Sequence, residues 1–390
     1  MSGPTLLISA GEPSGDRHAA RFLQAFTRRH PGTRAFGLGG PELRAAGLEA
    51  LARSEDLAVV GLVEVISKLP AALRALRLLS AAAARRRPDL VVPVDFPDFN
   101  LRLAARARRL GLPVLYYVSP QVWAWRESRV ARIRRDVKRM AVVFPFEVEF
   151  YRRHGIRVDF VGHPLLEEME PAGPASEAPP GTGTAAIQDF RARHRLDPSR
   201  PLVALFPGSR PGEVARHWPL LVRTARRLIA ARPGVQLAAA RAPGLPDQAL
   251  PVPADLPLRV LAGEEHPLLR AADAAAVAAG TATLEALLAG CPLVVFYRTS
   301  ALTFALMKRS VKVRQVSLAN LVGGGRVARE LLQGEATPEA LAAELGKLLD
   351  DPSARPAMRE AALRTAAELG GPRASEELTR VAGEMLWPAS

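Results

Sequence analysis

The sequence predicts an α/β protein made of two doubly wound, parallel-sheet halves, and three observations lead to that fold class. Short, continuous apolar runs ending in Gly, Ser or Asp alternate with alanine- and leucine-rich stretches of helical composition. That alternation is the pattern of strands buried on both faces beneath helices. A strand running into a glycine-bearing turn occurs twice, at Leu6–Ser9 before Ala10-Gly11-Glu12-Pro13-Ser14-Gly15-Asp16 and at Leu202–Phe206 before Pro207-Gly208-Ser209-Arg210. Finally, 390 residues with 48% hydrophobic content exceed one ordinary core and suffice for two.

Taken in order, the first half is expected to carry strands at Leu6–Ser9, Leu90–Val94, Val114–Val118 and Ala141–Phe144. The second carries Leu202–Phe206, Ala274–Ala279 and Leu293–Tyr297. Between Pro171 and Arg200 the composition turns to Pro, Gly, Ala, Glu and Thr, which reads as an exposed connection with a short helix near Ile187–His194. The expected domains are 1–168, a linker at 169–199, and 200–374. A last helix at 375–390 either crosses back or is exchanged. Two Rossmann-like halves facing one another place a cleft at their strand carboxyl ends, where such sheets bind ligands.

Composition narrows the function classes. The single cysteine, Cys291, excludes a disulfide framework and a thiolate metal cluster, which suits a reducing compartment. No basic leader with a long apolar segment opens the chain, and no run of about 20 apolar residues occurs, so a cytoplasmic location is expected. The net charge of +14, mostly arginine, suits an anionic membrane surface or a phosphate-bearing substrate, or simply a solvated arginine-rich surface. Nucleic acid is not expected, since neither zinc-finger spacing nor an aromatic RNA-binding pattern is present.

Five segments carry chemistry-bearing residues. Gly280-Thr281-Ala282-Thr283-Leu284-Glu285 follows an apolar run and opens a helix closed by Gly290 and Pro292. A helix start of that kind holds phosphate, and Glu285, one turn in, can accept from ribose hydroxyls or lie on a solvent face. Arg210, next to Ser209 at the end of a buried strand, can clamp a pyrophosphate or merely pair with Glu213. Asp95 ends the strand Leu90–Val94 and is the candidate general base. Asp98 is assigned as the N-cap of a helix at Phe99–Arg109 and as support for Asp95. The turn with Glu12, Ser14, Gly15 and Asp16 allows close backbone approach to a ligand, but its spacing is not the nicotinamide fingerprint. Trp123 and Trp125 hold two of the four tryptophans and read as cleft wall or as packing. The run Leu57–Leu79, with Lys68, Arg74 and Arg77, reads as an interfacial surface or a piece of domain wall. No Asp-x-Asp and no His-x-x-x-His occurs, so neither a metal site nor a cofactor is expected.

Together these segments resemble the lipid-A-disaccharide synthase family, from about Leu6 to Gln333. The resemblance rests on the Gly11–Asp16 turn, Gly39-Gly40-Pro41, Val60–Val65, Asp95–Asn100, Val118–Arg126, Phe144–Glu147, Phe160–Pro164, Pro207–Arg210, Gly280–Glu285 and Ser317–Leu321. It implies a GT-B architecture and an inverting, metal-independent transfer. UDP-2,3-diacylglucosamine would donate to the 6-hydroxyl of 2,3-diacylglucosamine 1-phosphate, giving the β-1,6-linked lipid A disaccharide 1-phosphate and UDP. By position Asp95 matches the family's base and Arg210 its essential arginine, with Glu12 and Asp98 completing the catalytic set. Ser209, Arg210, Gly280, Thr281, Ala282, Thr283, Glu285 and Asn320 fall on the UDP site. Ser14, Gly15, Trp123 and Trp125 fall on the acceptor side. The resemblance also implies peripheral attachment to the inner face of the inner membrane and a homodimer formed by exchanged C-terminal segments. Two positions depart from the family: Ala319 stands where proline is usual, and Phe96 where a small residue is usual. The rival readings are another UDP-GlcNAc-dependent GT-B enzyme, a UDP-sugar epimerase, or a non-catalytic basic protein binding membrane or RNA.

Overall fold

A computed structural model describes residues 3–57, 62–123, 127–169, 184–299, 315–323, 325–371 and 373–387. Val60-Gly61, Trp125-Arg126 and residues 171–183 of the expected connection lie outside the described residues. The chain clusters into two compact units, Met1–Glu168 with Leu369–Ser390, and Met169–Glu368.

The first unit holds β1 (Thr5–Ala10), β2 (Arg34–Gly39), β3 (Glu49–Arg53), β4 (Leu90–Val94), β5 (Leu115–Tyr117), β6 (Arg139–Val142) and β7 (Val158–Phe160). They form one parallel sheet in the order β3-β2-β1-β4-β5-β6-β7. The second unit holds β8 (Leu202–Phe206), β9 (Gln236–Arg241), β10 (Leu258–Ala262), β11 (Ala274–Ala278), β12 (Leu293–Tyr297) and β13 (Arg329–Leu332), in the order β10-β9-β8-β11-β12-β13. In each sheet the chain winds outward, returns to the middle and winds the other way. The order therefore reverses between β1 and β4, and again between β8 and β11. The loops leaving the carboxyl ends of those two strand pairs diverge there and leave a crevice, the usual ligand position in open α/β sheets.

The central strands are legible because they are largely apolar: Leu6, Leu7, Ile8, Val91, Val92, Leu205 and Val277 are all inaccessible. The strand expected at Ala141–Phe144 instead begins at Arg139, a buried cation held by Asp159 and by Glu384 at 2.8 Å. A charged residue inside a strand hides its start from a hydrophobic pattern. The edge strands β3, β10 and β13 were not singled out, since each exposes charged residues such as Glu49, Arg259 and Arg329.

A recurring device follows the strands. Pro13, Pro41, Pro97, Pro145, Pro211 and Pro338 each open a helix. Proline suits that position because its φ is already helical and the amide hydrogen it lacks has no intrahelical acceptor there. The helix Thr184–Arg193, inside the segment expected to be a linker, is folded into the second unit. Its buried Arg191 donates to the Ala271 carbonyl at 2.9 Å and to Asp273 at 3.0 Å. The final helix, Ala374–Leu386, packs on the helix Pro13–Arg29 of the first unit, and Trp387 lies against His30 with ring centres 4.7 Å apart. Among the described residues no helix is long and apolar enough to cross a membrane.

Candidate functional site

In the first unit, the loops at the β1/β4 reversal carry Glu12, Ser14, Gly15 and Asp95. Glu12 is the residue before the helix Pro13–Arg29 and makes no capping bond to it, so its half-buried carboxylate is not consumed by its own helix. Ser14 and Gly15 lie in the first turn, and Gly15 packs against the end of β4, where a Cβ would stand 3.6 Å from the Val94 carbonyl. Asp16 turns away instead. Its buried carboxylate accepts from the amides of Gly40 at 2.6 Å and Glu42 at 3.0 Å, tying β1's turn to the start of the next helix. Burial raises its pKa, and those amide hydrogen bonds oppose the rise.

Asp95 and Phe96 both adopt left-handed backbone, with φ of 45° and 47°. Two consecutive non-glycine residues there are strained, at roughly 1 kcal/mol or more each, and persist only where surrounding contacts over-determine them. Those contacts are visible. The Asp95 amide donates to Tyr117 at 3.0 Å, while its carbonyl accepts from Tyr116 Oη at 2.7 Å and from Asn100 Nδ2 at 2.8 Å. Asn100 is wholly buried. It also bonds the Ser9 hydroxyl at 2.6 Å and the Ser9 and Val94 carbonyls at 3.1 Å, clamping β1 to β4 beneath Asp95. The sequence carries no signal for this role of Asn100; nothing in a single sequence says that an asparagine is fully buried.

Phe96 explains its own neighbourhood. A Cβ on Gly11 would stand 2.2 Å from its ring, so glycine is required where that ring lies across β1's turn. The assignment of Asp98 as an N-cap is corrected. The helix begins at Pro97, its cap position is Phe96 without a side-chain cap bond, and Asp98 is already inside the first turn. Its largely exposed carboxylate pairs with Arg129. The left-handed pair at Asp95 and Phe96 starts the helix two residues before the apolar pattern does.

One strand over, Trp123 is half-buried. Its indole donates to Glu147 Oε1 at 3.1 Å, and its ring meets Phe146 edge-on with centres 4.9 Å apart. Trp125 lies outside the described residues.

In the second unit, the β8/β11 reversal brings the two glycine turns side by side, because Phe206 and Val277 are paired at the ends of these neighbouring strands. Gly208 has φ of 111°, and Gly280 has φ of 156° with ψ of −164°, a combination open essentially to glycine. Ser209 and Arg210 are exposed at the start of the helix Pro211–Ala231. The Arg210 side chain is 67% exposed and lies 3.6 Å from the mostly buried Glu213, a long pairing that leaves the guanidinium open to solvent. Buried His217 fixes the loop from behind. Its Nδ1 bonds the Pro207 carbonyl at 2.8 Å and its Nε2 accepts from the Arg298 amide at 3.1 Å.

The helix Thr281–Leu288 begins at the second turn, and Thr281 and Ala282 present first-turn amides that have no acceptor within the helix. Thr283 differs from them. Its side chain is fully buried, and its hydroxyl donates to the Gly280 carbonyl at 2.8 Å and accepts from the Ala319 amide at 3.4 Å. Ala319 therefore contributes an N–H that a proline would lack. Glu285 is mostly buried, with its carboxylate 3.8 Å from His266 Nε2. Asn320 is buried with its amide engaged inside the loop, to the Ala328 carbonyl at 2.9 Å, the Ala328 amide at 2.9 Å and Glu330 at 2.8 Å. These bonds hold the loop that meets the Gly280 turn through Ala319 and Thr283.

The model of the lipid-A-disaccharide synthetase family matches residues 6–382. The chain belongs to that family. It is 46% identical over 385 residues to a lipid-A-disaccharide synthase of Anaeromyxobacter dehalogenans strain 2CP-1, covering 98% of this chain and 96% of the relative. To the Geobacter metallireducens lipid-A-disaccharide synthase it is 42% identical over 384 residues, covering 98% and 97%. Among solved structures it is similar to the glycotransferase of kitacinnamycin, with a TM-score of 0.62 at 18% identity, covering 97% of this chain and 99% of that one. At that identity the likeness speaks for fold alone, and the fold is the GT-B arrangement of two parallel-sheet domains.

Proposed function

We propose that this chain is the glycosyltransferase that joins UDP-2,3-diacylglucosamine to 2,3-diacylglucosamine 1-phosphate, releasing UDP and the β-1,6-linked disaccharide 1-phosphate. Family membership over residues 6–382 carries the reaction. For the residue roles, the support is that both sets of candidates gather at the reversal point of a doubly wound sheet.

The first unit serves the acceptor. Asp95 takes the proton from the attacking 6-hydroxyl, and its backbone is locked by Asn100, Tyr116 and Tyr117 so that the carboxylate need not reorganise. Glu12, Ser14, Gly15 and Trp123 line the acceptor's approach, and Asp98 acts at most through Arg129. The second unit serves the donor. Arg210 and the Thr281 and Ala282 amides stabilise charge on the departing UDP, Ser209 and Glu285 bind its polar groups, and Asn320 holds the supporting loop. The chemistry needs only a base, anion-binding donors and the two substrates.

The proposal includes attachment to the anionic inner face of the inner membrane, supported by exposed arginines on two packed helices, Pro97–Arg109 and Val130–Asp136, including Arg102, Arg109, Arg132 and Arg134. Vesicle binding that ignored salt would count against it. A homodimer through the last helix is also part of the proposal; sedimentation of the full chain reports it.

The deciding experiment offers both acylated substrates, and UDP-GlcNAc in parallel, with mass spectrometry of the products. The acylated disaccharide 1-phosphate should form with UDP release, while UDP-GlcNAc alone is neither transferred nor epimerised. Absence of the disaccharide, or epimerisation of UDP-GlcNAc, overturns the reading.

A further inference from the structure

Three loops leave the carboxyl ends of neighbouring strands beside Asp95, and one buried carboxylate ties two of them together. The loop after β5 starts with Val118 at φ of 58°, an outlier for a β-branched residue. It lies directly alongside Asp95, whose amide bonds the Tyr117 carbonyl at 3.0 Å. Glu147, in the first turn of the helix Pro145–Arg153 after β6, is 1% exposed. Its Oε1 accepts from the Trp123 indole at 3.1 Å and its Oε2 from the Phe144 amide at 3.2 Å. Beside it, the Ser119 hydroxyl donates to the Pro120 carbonyl at 2.9 Å and meets the Tyr151 hydroxyl at 2.6 Å. A buried carboxylate without partners would be prohibitively unfavourable; this one is satisfied only while the β5 and β6 loops keep their present positions.

We propose that Glu147 is a positioning residue that fixes the Trp123 indole, against the Phe146 ring, as a rigid wall of the acceptor subsite beside Asp95. The inference rests on the reading that Trp123 meets the acceptor. Phe146 and Trp123 are both half-buried, so the edge-to-face pair keeps part of its aromatic surface accessible. Such a surface suits the apolar face of a sugar ring or the first methylenes of an acyl chain. Glu147 touches no reacting atom and acts through the tryptophan. Burial pushes its carboxyl up to about 7, so its ability to accept both hydrogen bonds changes near neutral pH. The titratable neighbours do not change there: burial pushes the Tyr151 phenol up, and His163, packed on Phe144, is pushed down to about 3.

The test compares E147Q, W123F, W123A and the double variant E147Q/W123F, measuring KM for acceptor, KM for donor and kcat separately. Glutamine keeps the shape but can accept only one of the two hydrogen bonds. E147Q should raise acceptor KM by about 10-fold, the scale of one lost charge-assisted hydrogen bond, with donor KM unchanged and kcat within about threefold. W123F, which lacks the indole N–H, should do the same, and combining the two should add little further. Wild-type acceptor KM should also rise as pH falls through about 7, and that component should vanish in E147Q. The E147Q profile removes the titration of the acceptor's own phosphate from the comparison. If W123A raises acceptor KM while E147Q matches wild type at every pH, the role of Glu147 is overturned and the acceptor reading stands. If W123A leaves acceptor KM unchanged, the reading beneath the inference fails with it.

Discussion

The two sheets share one winding order, yet the loops at their reversal points are built oppositely. In the first unit, the β4 loop holds bulky residues in left-handed backbone, Asp95 and Phe96, clamped by buried Asn100 and two tyrosines. In the second unit, glycine supplies the unusual dihedrals at Gly208 and Gly280, and exposed amides and an exposed arginine follow. The difference matches the role proposed for each. Strain held against packed partners fixes the Asp95 backbone, which suits the proposed proton acceptor. Glycine turns bring backbone donors forward without a side chain in the way, which suits the proposed diphosphate site.

That division predicts unequal responses to substitution. The largest effect falls on Asp95: D95N should lower kcat by about 10²- to 10⁴-fold, the usual contribution of a general base, at unchanged thermal stability. Turnover near wild type would remove Asp95 as the base and leave the strained loop unexplained.

A smaller effect is expected from G280A. A Cβ there meets nothing within 4 Å, so the damage is conformational, about 1–3 kcal/mol for forcing alanine into that region. It should appear as a lower melting temperature together with weaker UDP binding. G11A offers the contrast, since its Cβ collides with the Phe96 ring. Its defect should be eased by F96A, whereas no partner change should ease G280A. Rescue of both, or of neither, would erase the distinction between a steric and a dihedral requirement.

The smallest effect concerns Glu147 and stability. Its folded pKa, about 7, lies above the ordinary 4.5, so the folded state holds this proton more tightly than the unfolded chain. Stability contributed by that proton is full below about 4.5 and is lost as pH rises through about 7. The wild-type protein should therefore lose on the order of 3 kcal/mol relative to E147Q across that window, by denaturant melts at pH 4.5 and 7.5. A constant difference would show that the carboxyl is not so perturbed.

Much of this was legible in the sequence because it lives on local pattern. Largely apolar strands announced the sheets, and glycine turns after β8 and β11 announced the second reversal point. What stayed hidden depends on burial and on partners far along the chain. Asn100 reaches Ser9, 91 positions away. Asn320 stood in the expected UDP site but spends its amide on Ala328 and Glu330. Asp98 looked like a cap because the left-handed backbone that starts its helix early has no signature in residue type.

The most direct test is calorimetric titration of UDP into the full-length wild type, D95N and R210A. Wild-type affinity should survive in D95N within about twofold. R210A should lose about 10-fold or more, the scale of a charge-assisted contact to phosphate. Equal losses in both variants, or a loss confined to D95N, would contradict the assignment of base and nucleotide to separate units.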